Sequence, residues 1–84
     1  MAHRRSEIMK IKIVLEGYLK YKYSPNILEL NYSKPVTIYK ILEDAKISLA
    51  DVFFIIKTGD KIVKEDYLLA ESAEVKIFPI IGGG

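Results

Sequence analysis

Val36-Thr37-Ile38-Tyr39-Lys40-Ile41-Leu42-Glu43-Asp44-Ala45-Lys46 decides the fold, because Ile38, Ile41, Leu42 and Ala45 recur at spacings of three and four. That spacing lays one apolar stripe along a helix, with Lys40, Glu43 and Asp44 turned the other way. Ser33-Lys34-Pro35-Val36 breaks the preceding segment. Thr37 is placed to cap the helix, since its hydroxyl can accept a hydrogen bond from an orphan main-chain N–H. The helix is expected over about Ile38 to Lys46. At that length it depends on a sheet beneath it.

Strand patterns flank it on both sides. In Met9-Lys10-Ile11-Lys12-Ile13-Val14-Leu15 the apolar Met9, Ile11, Ile13 and Leu15 alternate with Lys10 and Lys12, the period of a half-buried strand. Ser24-Pro25-Asn26 signals a turn. Ile27 to Tyr32 then reads as a second strand, with Leu28, Leu30 and Tyr32 inward and Glu29 and Asn31 outward. The two strands with their connector suggest a hairpin.

Beyond the helix, Val52-Phe53-Phe54-Ile55-Ile56 is an unbroken apolar run. It is too short for a buried helix and fits an interior strand. Either Phe53 and Ile55 or Phe54 and Ile56 face outward; the run does not say which. Thr58-Gly59-Asp60 turns the chain into a short strand, Lys61-Ile62-Val63. Glu65 to Glu71 reads as a connector with room for a helical turn, its Tyr67, Leu68 and Leu69 available to pack under the sheet. Glu74 to Phe78 is the last strand, with Val75 and Ile77 on one face and Lys76 and Phe78 on the other. The order predicts an α+β fold, a mixed sheet of four to five strands around one helix, which is the β-grasp or ubiquitin-like roll.

Composition narrows the function classes. The 84 residues are 50% hydrophobic and 29% charged, the balance of one small globular domain. There is no cysteine, so disulfides and thiolate chemistry are excluded. The single histidine, His3, lies in a polar N-terminal segment and no metal constellation is expected. A net charge of +2 is too weak to argue for nucleic acid. No apolar stretch is long enough to span a bilayer, and the expected location is the cytoplasm. Residues 1–8 are expected to be a disordered leader or tag, residues 9–81 the folded domain, and residues 82–84 a flexible glycine tail.

That tail is the part with chemistry. Gly82-Gly83-Gly84 follows Phe78-Pro79-Ile80-Ile81 directly. Without Cβ atoms it can lie extended in a slot too narrow for other residues, and it presents the carboxylate of Gly84 at its end. The bland reading is a frayed terminus or a cloning scar.

Three stretches carry a family resemblance. Leu69-Ala70-Glu71-Ser72-Ala73-Glu74-Val75-Lys76-Ile77-Phe78-Pro79-Ile80-Ile81-Gly82-Gly83-Gly84 is the most specific. Val36-Thr37-Ile38 with Ile41-Leu42, and Gly17-Tyr18-Leu19, add to it. From Met9 onward the chain resembles the ubiquitin-like sulfur carriers, which include the molybdopterin synthase small subunit and the thiamine-pathway carrier. It departs from that pattern in Ser72-Ala73, which stand for the usual Gly-Asp turn, in Ile80, where a second proline is common, and in the third glycine.

The resemblance implies a carrier rather than an enzyme, binding no cofactor of its own. An adenylating, ubiquitin-activating-like partner enzyme would use ATP to convert the Gly84 carboxylate to an acyl adenylate. A sulfur donor would then leave a thiocarboxylate for a synthase large subunit or a thiazole synthase. Gly82 and Gly83 would be the slim tail, and Phe78, Pro79 and Ile81 the partner-binding residues. Phe78, on the strand face opposite Val75 and Ile77, is either an exposed aromatic anchor or buried under the Tyr67–Leu69 connector; the sequence leaves both open. Three other readings compete. One is a protein modifier joined to lysine through Gly84. Another is an interaction domain with an incidental tail. The third is an RNA-binding module using Tyr18-Leu19-Lys20-Tyr21-Lys22-Tyr23, a run that reads better as a solvated connector whose tyrosines cap the core.

Overall fold

The structure, a computed structural model, describes residues 8–80. In chain order its elements are β1 (Met9–Leu15), α1 (Leu19–Lys22), β2 (Ile27–Tyr32), β3 (Val36–Thr37) and α2 (Ile38–Asp44). A 3-10 turn (Leu49–Asp51), β4 (Val52–Lys57), β5 (Lys61–Val63), β6 (Leu68–Leu69) and β7 (Ala73–Pro79) follow. Five strands form one mixed sheet in the order β2-β1-β7-β4-β5, while β3 and β6 pair separately. The chain is therefore an α+β fold whose central strand, β7, runs parallel to β1 and antiparallel to β4.

The alternating patterns fix the inner face. Met9, Ile11, Ile13 and Leu15 of β1 are buried, as are Val75 and Ile77 of β7, Ile55 of β4 and Val63 of β5. Leu28, Leu30 and Tyr32 pack against this layer from β2. Ile38, Ile41 and Leu42 of α2 close it from the other side. Among the described residues no polar side chain is buried.

Thr37 caps α2 as expected, its Oγ1 accepting from the Lys40 N–H at 3.1 Å. The connector before β7 supplies two more acceptors: the Tyr67 carbonyl takes the Ile38 N–H and the Glu65 carbonyl takes the Tyr39 N–H. Three of the four donors left over at the helix start are thus satisfied. The helix ends at Asp44 rather than Lys46. Lys46 turns left-handed at φ +62, its N–H bonded to the Glu43 carbonyl and the Ile47 N–H to that of Leu42. This is the six-to-one and five-to-two pairing that closes a helix and brings the next apolar residue, here buried Ile47, back onto the core.

Two connectors carry more structure than their sequences signal. Residues 19–22 coil into α1, anchored by fully buried Leu19. Within the segment from Glu65 to Glu71, Leu68–Leu69 forms a strand pair with Val36–Thr37 instead of a helical turn. Among the described residues no helix is long and apolar enough to cross a membrane.

Candidate functional site

Every side chain of interest gathers where β7 ends. Along β7, Val75, Ile77 and Pro79 face the core and Phe78 faces outward. The ladder between β4 and β7 sets Phe54 opposite Phe78, and it slips between Val52 and Phe54. That irregularity leaves Phe53 as the extra residue of a bulge, which re-aims its side chain. The choice left open by the Val52–Ile56 run is thereby settled. Phe54 and Ile56 face outward, Ile55 faces the core, and the bulge turns Phe53 outward too.

The three phenylalanines form one cluster. Phe54 and Phe78 stack with centroids 4.6 Å apart and planes 2° from parallel, and Phe53 meets Phe54 edge-on at 5.4 Å. Phe53 is 67% exposed. Phe78 is half-buried, held by Phe54 on the outer face and not beneath the Tyr67–Leu69 connector, which packs on the inner one. Toward β2 the outer face continues through Ile56, Lys76, Val14 and Ile27, which lie in one cross-strand row. On the other side, β5 pairs only with Ile55–Lys57. This leaves an open groove of about 490 Å³ beside Phe53, with Leu49 and exposed Ile62 on its rim.

Pro79, expected as a contact residue, is buried. Its ring lies against Gly17, where a Cβ would come within 2.8 Å of Cγ and 3.2 Å of Cδ. Gly17 also has φ +58, so the position requires glycine twice over, for its conformation and for the close approach. Strand alternation points the Pro79 nitrogen toward β1, past the end of that strand, so its missing N–H breaks no ladder bond. Ile80, 47% exposed, donates its N–H to the Asp51 carbonyl at 3.3 Å.

Asp51 is itself tied down. Its Oδ2 accepts from the Tyr23 hydroxyl at 2.7 Å and pairs with the Lys22 ammonium at 2.9 Å. The same tyrosine oxygen accepts the Ser48 N–H at 3.1 Å. The Lys22 ammonium, followed by the Tyr23 hydroxyl, holds the Asp51 carboxyl below the usual carboxylate range. Lys22 in turn is raised by its hydrogen bond to Asp51. On the far side of the molecule Tyr32 donates to Asp44 at 2.6 Å, which lowers that carboxyl, while burial and this bond push the Tyr32 hydroxyl up.

Ile81, Gly82, Gly83 and Gly84 lie outside the described residues, as do the first seven of the expected leader. The sequence signalled Phe78 and its face. It gave no sign of the Gly17–Pro79 contact or of the Asp51 network, which join residues far apart in the chain. The described residues hold no cluster of histidine, cysteine, aspartate or glutamate suited to a metal ion.

No protein-family model matches the chain, and no curated protein matches it. Among solved structures it is similar to the solution structure of the Haloferax volcanii HVO 2177 protein, at a TM-score of 0.61 and 14% sequence identity over the whole of both chains. At that identity the likeness is one of fold.

Proposed function

We propose that this chain is a β-grasp sulfur carrier, a protein co-substrate whose reacting group is the carboxylate of Gly84. The observation that carries the reading is the delivery of β7. The central strand brings Pro79 and Ile80 to the margin of an exposed phenylalanine cluster, and Ile81-Gly82-Gly83-Gly84 come next in sequence. In this reading the phenylalanine cluster is the docking surface, and the sequence that continues from Ile80 is the slim reactive tail. The strand order, with a hairpin on each flank and a helix against one face, supports the β-grasp assignment.

In the proposed reaction a partner enzyme aligns the Gly84 carboxylate with ATP. A carboxylate oxygen attacks the α-phosphate and pyrophosphate leaves, giving an acyl adenylate. A sulfide-equivalent donor then attacks the acyl carbon and AMP leaves with the oxygen, so the product is a thiocarboxylate. Adenylation is needed because a carboxylate is a poor electrophile. The chain itself contributes no phosphate-binding loop between strand and helix. Its contribution is reach, slimness and docking, with Phe53, Phe54 and Phe78 as the anchors.

The test is mass spectrometry of the intact chain after incubation with an adenylating enzyme of the same cell, ATP and a sulfur donor. The expected product is heavier by the difference between sulfur and oxygen, localised to Gly84. Deleting Gly84 shortens the reach by about 3.3–3.6 Å and should abolish the product. Gly83→Val should block it through its β-branched side chain while leaving the fold intact. Unchanged biological activity after the deletion would rule the carrier out. An isopeptide-linked product on a lysine would assign the chain to protein modification instead.

A further inference from the structure

We propose that Gly17 and Asp51 are positioning residues that fix the direction in which the C-terminal segment leaves the fold. The inference rests on the carrier reading for its purpose, and on geometry alone for its existence.

Three restraints converge on the last two described residues. Pro79 has its φ locked by its ring, and that ring sits where Gly17 leaves no room for a Cβ. The strand just before it is held on the β1 side by the Glu16 N–H, which donates to the Ile77 carbonyl at 2.9 Å. The next N–H, that of Ile80, is taken on the β4 side by the Asp51 carbonyl. That carbonyl extends the β4–β7 ladder by one bond beyond the Val52–Pro79 pair, from the 3-10 turn that leads into β4. The Asp51 carboxylate ties this turn to Tyr23 and Lys22 of the α1 segment. The turn is further tied to α1 by the Ser48 N–H on the Tyr23 oxygen.

A chain end without a task sheds its contacts over its last residues. Here Pro79 is still buried and the Ile80 N–H is still bonded, and the two contacts use a Cβ-free position and a main-chain carbonyl. From Ile80 to Gly84, the reacting residue of the carrier reading, is four residues, which extended span at most about 13–14 Å. Fixing the root at Ile80 narrows the volume within which that length can search. A carboxylate that must line up with a bound nucleotide gains from such alignment in turnover more than in affinity.

The test reads the clamp first without any partner. In the 15N-labelled full chain, the Ile80 amide should exchange at least about tenfold more slowly than an unstructured amide. Asp51→Ala and Tyr23→Phe should each bring it to within about twofold of the unstructured rate, with the amides of β1 unchanged. Gly17→Ala should do the same; should its strain unfold the chain, the other two variants decide. Asp51→Asn keeps an acceptor for Tyr23 and should retain most of the protection. With an adenylating enzyme of the same cell and ATP, Asp51→Ala should lower kcat for pyrophosphate release about tenfold, with KM within about twofold. An unprotected Ile80 amide in the wild-type chain, or protection that survives both Asp51→Ala and Tyr23→Phe, overturns the clamp. Equal kcat for wild type and unclamped variants overturns its positioning role while leaving the carrier intact. Clamped exit with a Gly84 that no enzyme modifies sinks the carrier and not the clamp.

Discussion

The two faces of the five-stranded sheet solve different problems with different residues. The inner face and the helix against it are aliphatic: every fully buried core side chain is isoleucine, leucine or valine, with Met9 at the margin. None of the six tyrosines and three phenylalanines is in that set. For two of the tyrosines the reason is polar. Tyr23 and Tyr32 stand at the rim, where their hydroxyls reach Asp51 and Asp44. The phenylalanines have no such excuse, yet all three sit on the outer face. Large apolar groups gathered on an outward face without a polar reason, one exposed and two half-buried, mark an interaction surface more often than a packing need.

The sharpest way to break this comparison is to truncate one residue on each face. Ile41→Ala removes a fully buried side chain from α2 and should cost about 2–5 kcal/mol, measured by chemical denaturation. In a domain this small that is a large share of the total. An effect below about 1 kcal/mol would mean that the aliphatic layer is not the source of stability.

On the outer face the ordering should reverse between stability and binding. Phe78→Ala breaks the stack with Phe54 and should cost about 0.5–1.5 kcal/mol beyond the area lost. Phe53→Ser, at a side chain already two-thirds in water, should change stability by no more than about 0.5 kcal/mol. Under the proposed carrier function, both should weaken capture by an adenylating enzyme of the same cell, measured by titration calorimetry. Should Phe53→Ser destabilise the fold as much as Ile41→Ala, the division between the faces would be wrong.

The smallest effect belongs to the rim. The Asp44 and Asp51 carboxyls titrate lower folded than unfolded, through their tyrosine and lysine partners. Their contribution is therefore complete above the unfolded carboxylate value of about 3.9 and is lost as pH falls through the lower folded values. Melting curves should show a modest acid loss below about pH 4. Asp51→Asn should reduce that acid dependence, and Ile41→Ala should leave it unchanged. An acid loss equal in wild type and in Asp51→Asn would remove Asp51 from the account.

Much of this was legible in residue order. Alternation placed β1, β2 and β7 and told inward from outward side chains in each. Spacings of three and four placed α2, and Thr37 marked its start. Period alone could not orient Val52–Ile56, where every residue is apolar; the bulge at Phe53 and the register against β7 did that. Nor could it foresee α1 or the pairing of β3 with β6, since four- and two-residue elements are too short to show a period.

By itself, then, the sequence determined the elements that repeat a pattern long enough to read. Tertiary structure alone decided which residues meet across distance. Gly17 touches Pro79, and Asp51 meets both Tyr23 and the Ile80 N–H, pairs separated by most or much of the chain. Such contacts have no local signature. A glycine that leaves room for a proline ring looks in sequence like any glycine after a strand, and an aspartate whose carboxylate meets Tyr23 and Lys22 looks like any aspartate in a turn. The first comes from the parallel pairing of β1 with β7, which sets the turn after β1 beside the end of β7, and the second from the antiparallel pairing of β4 with β7.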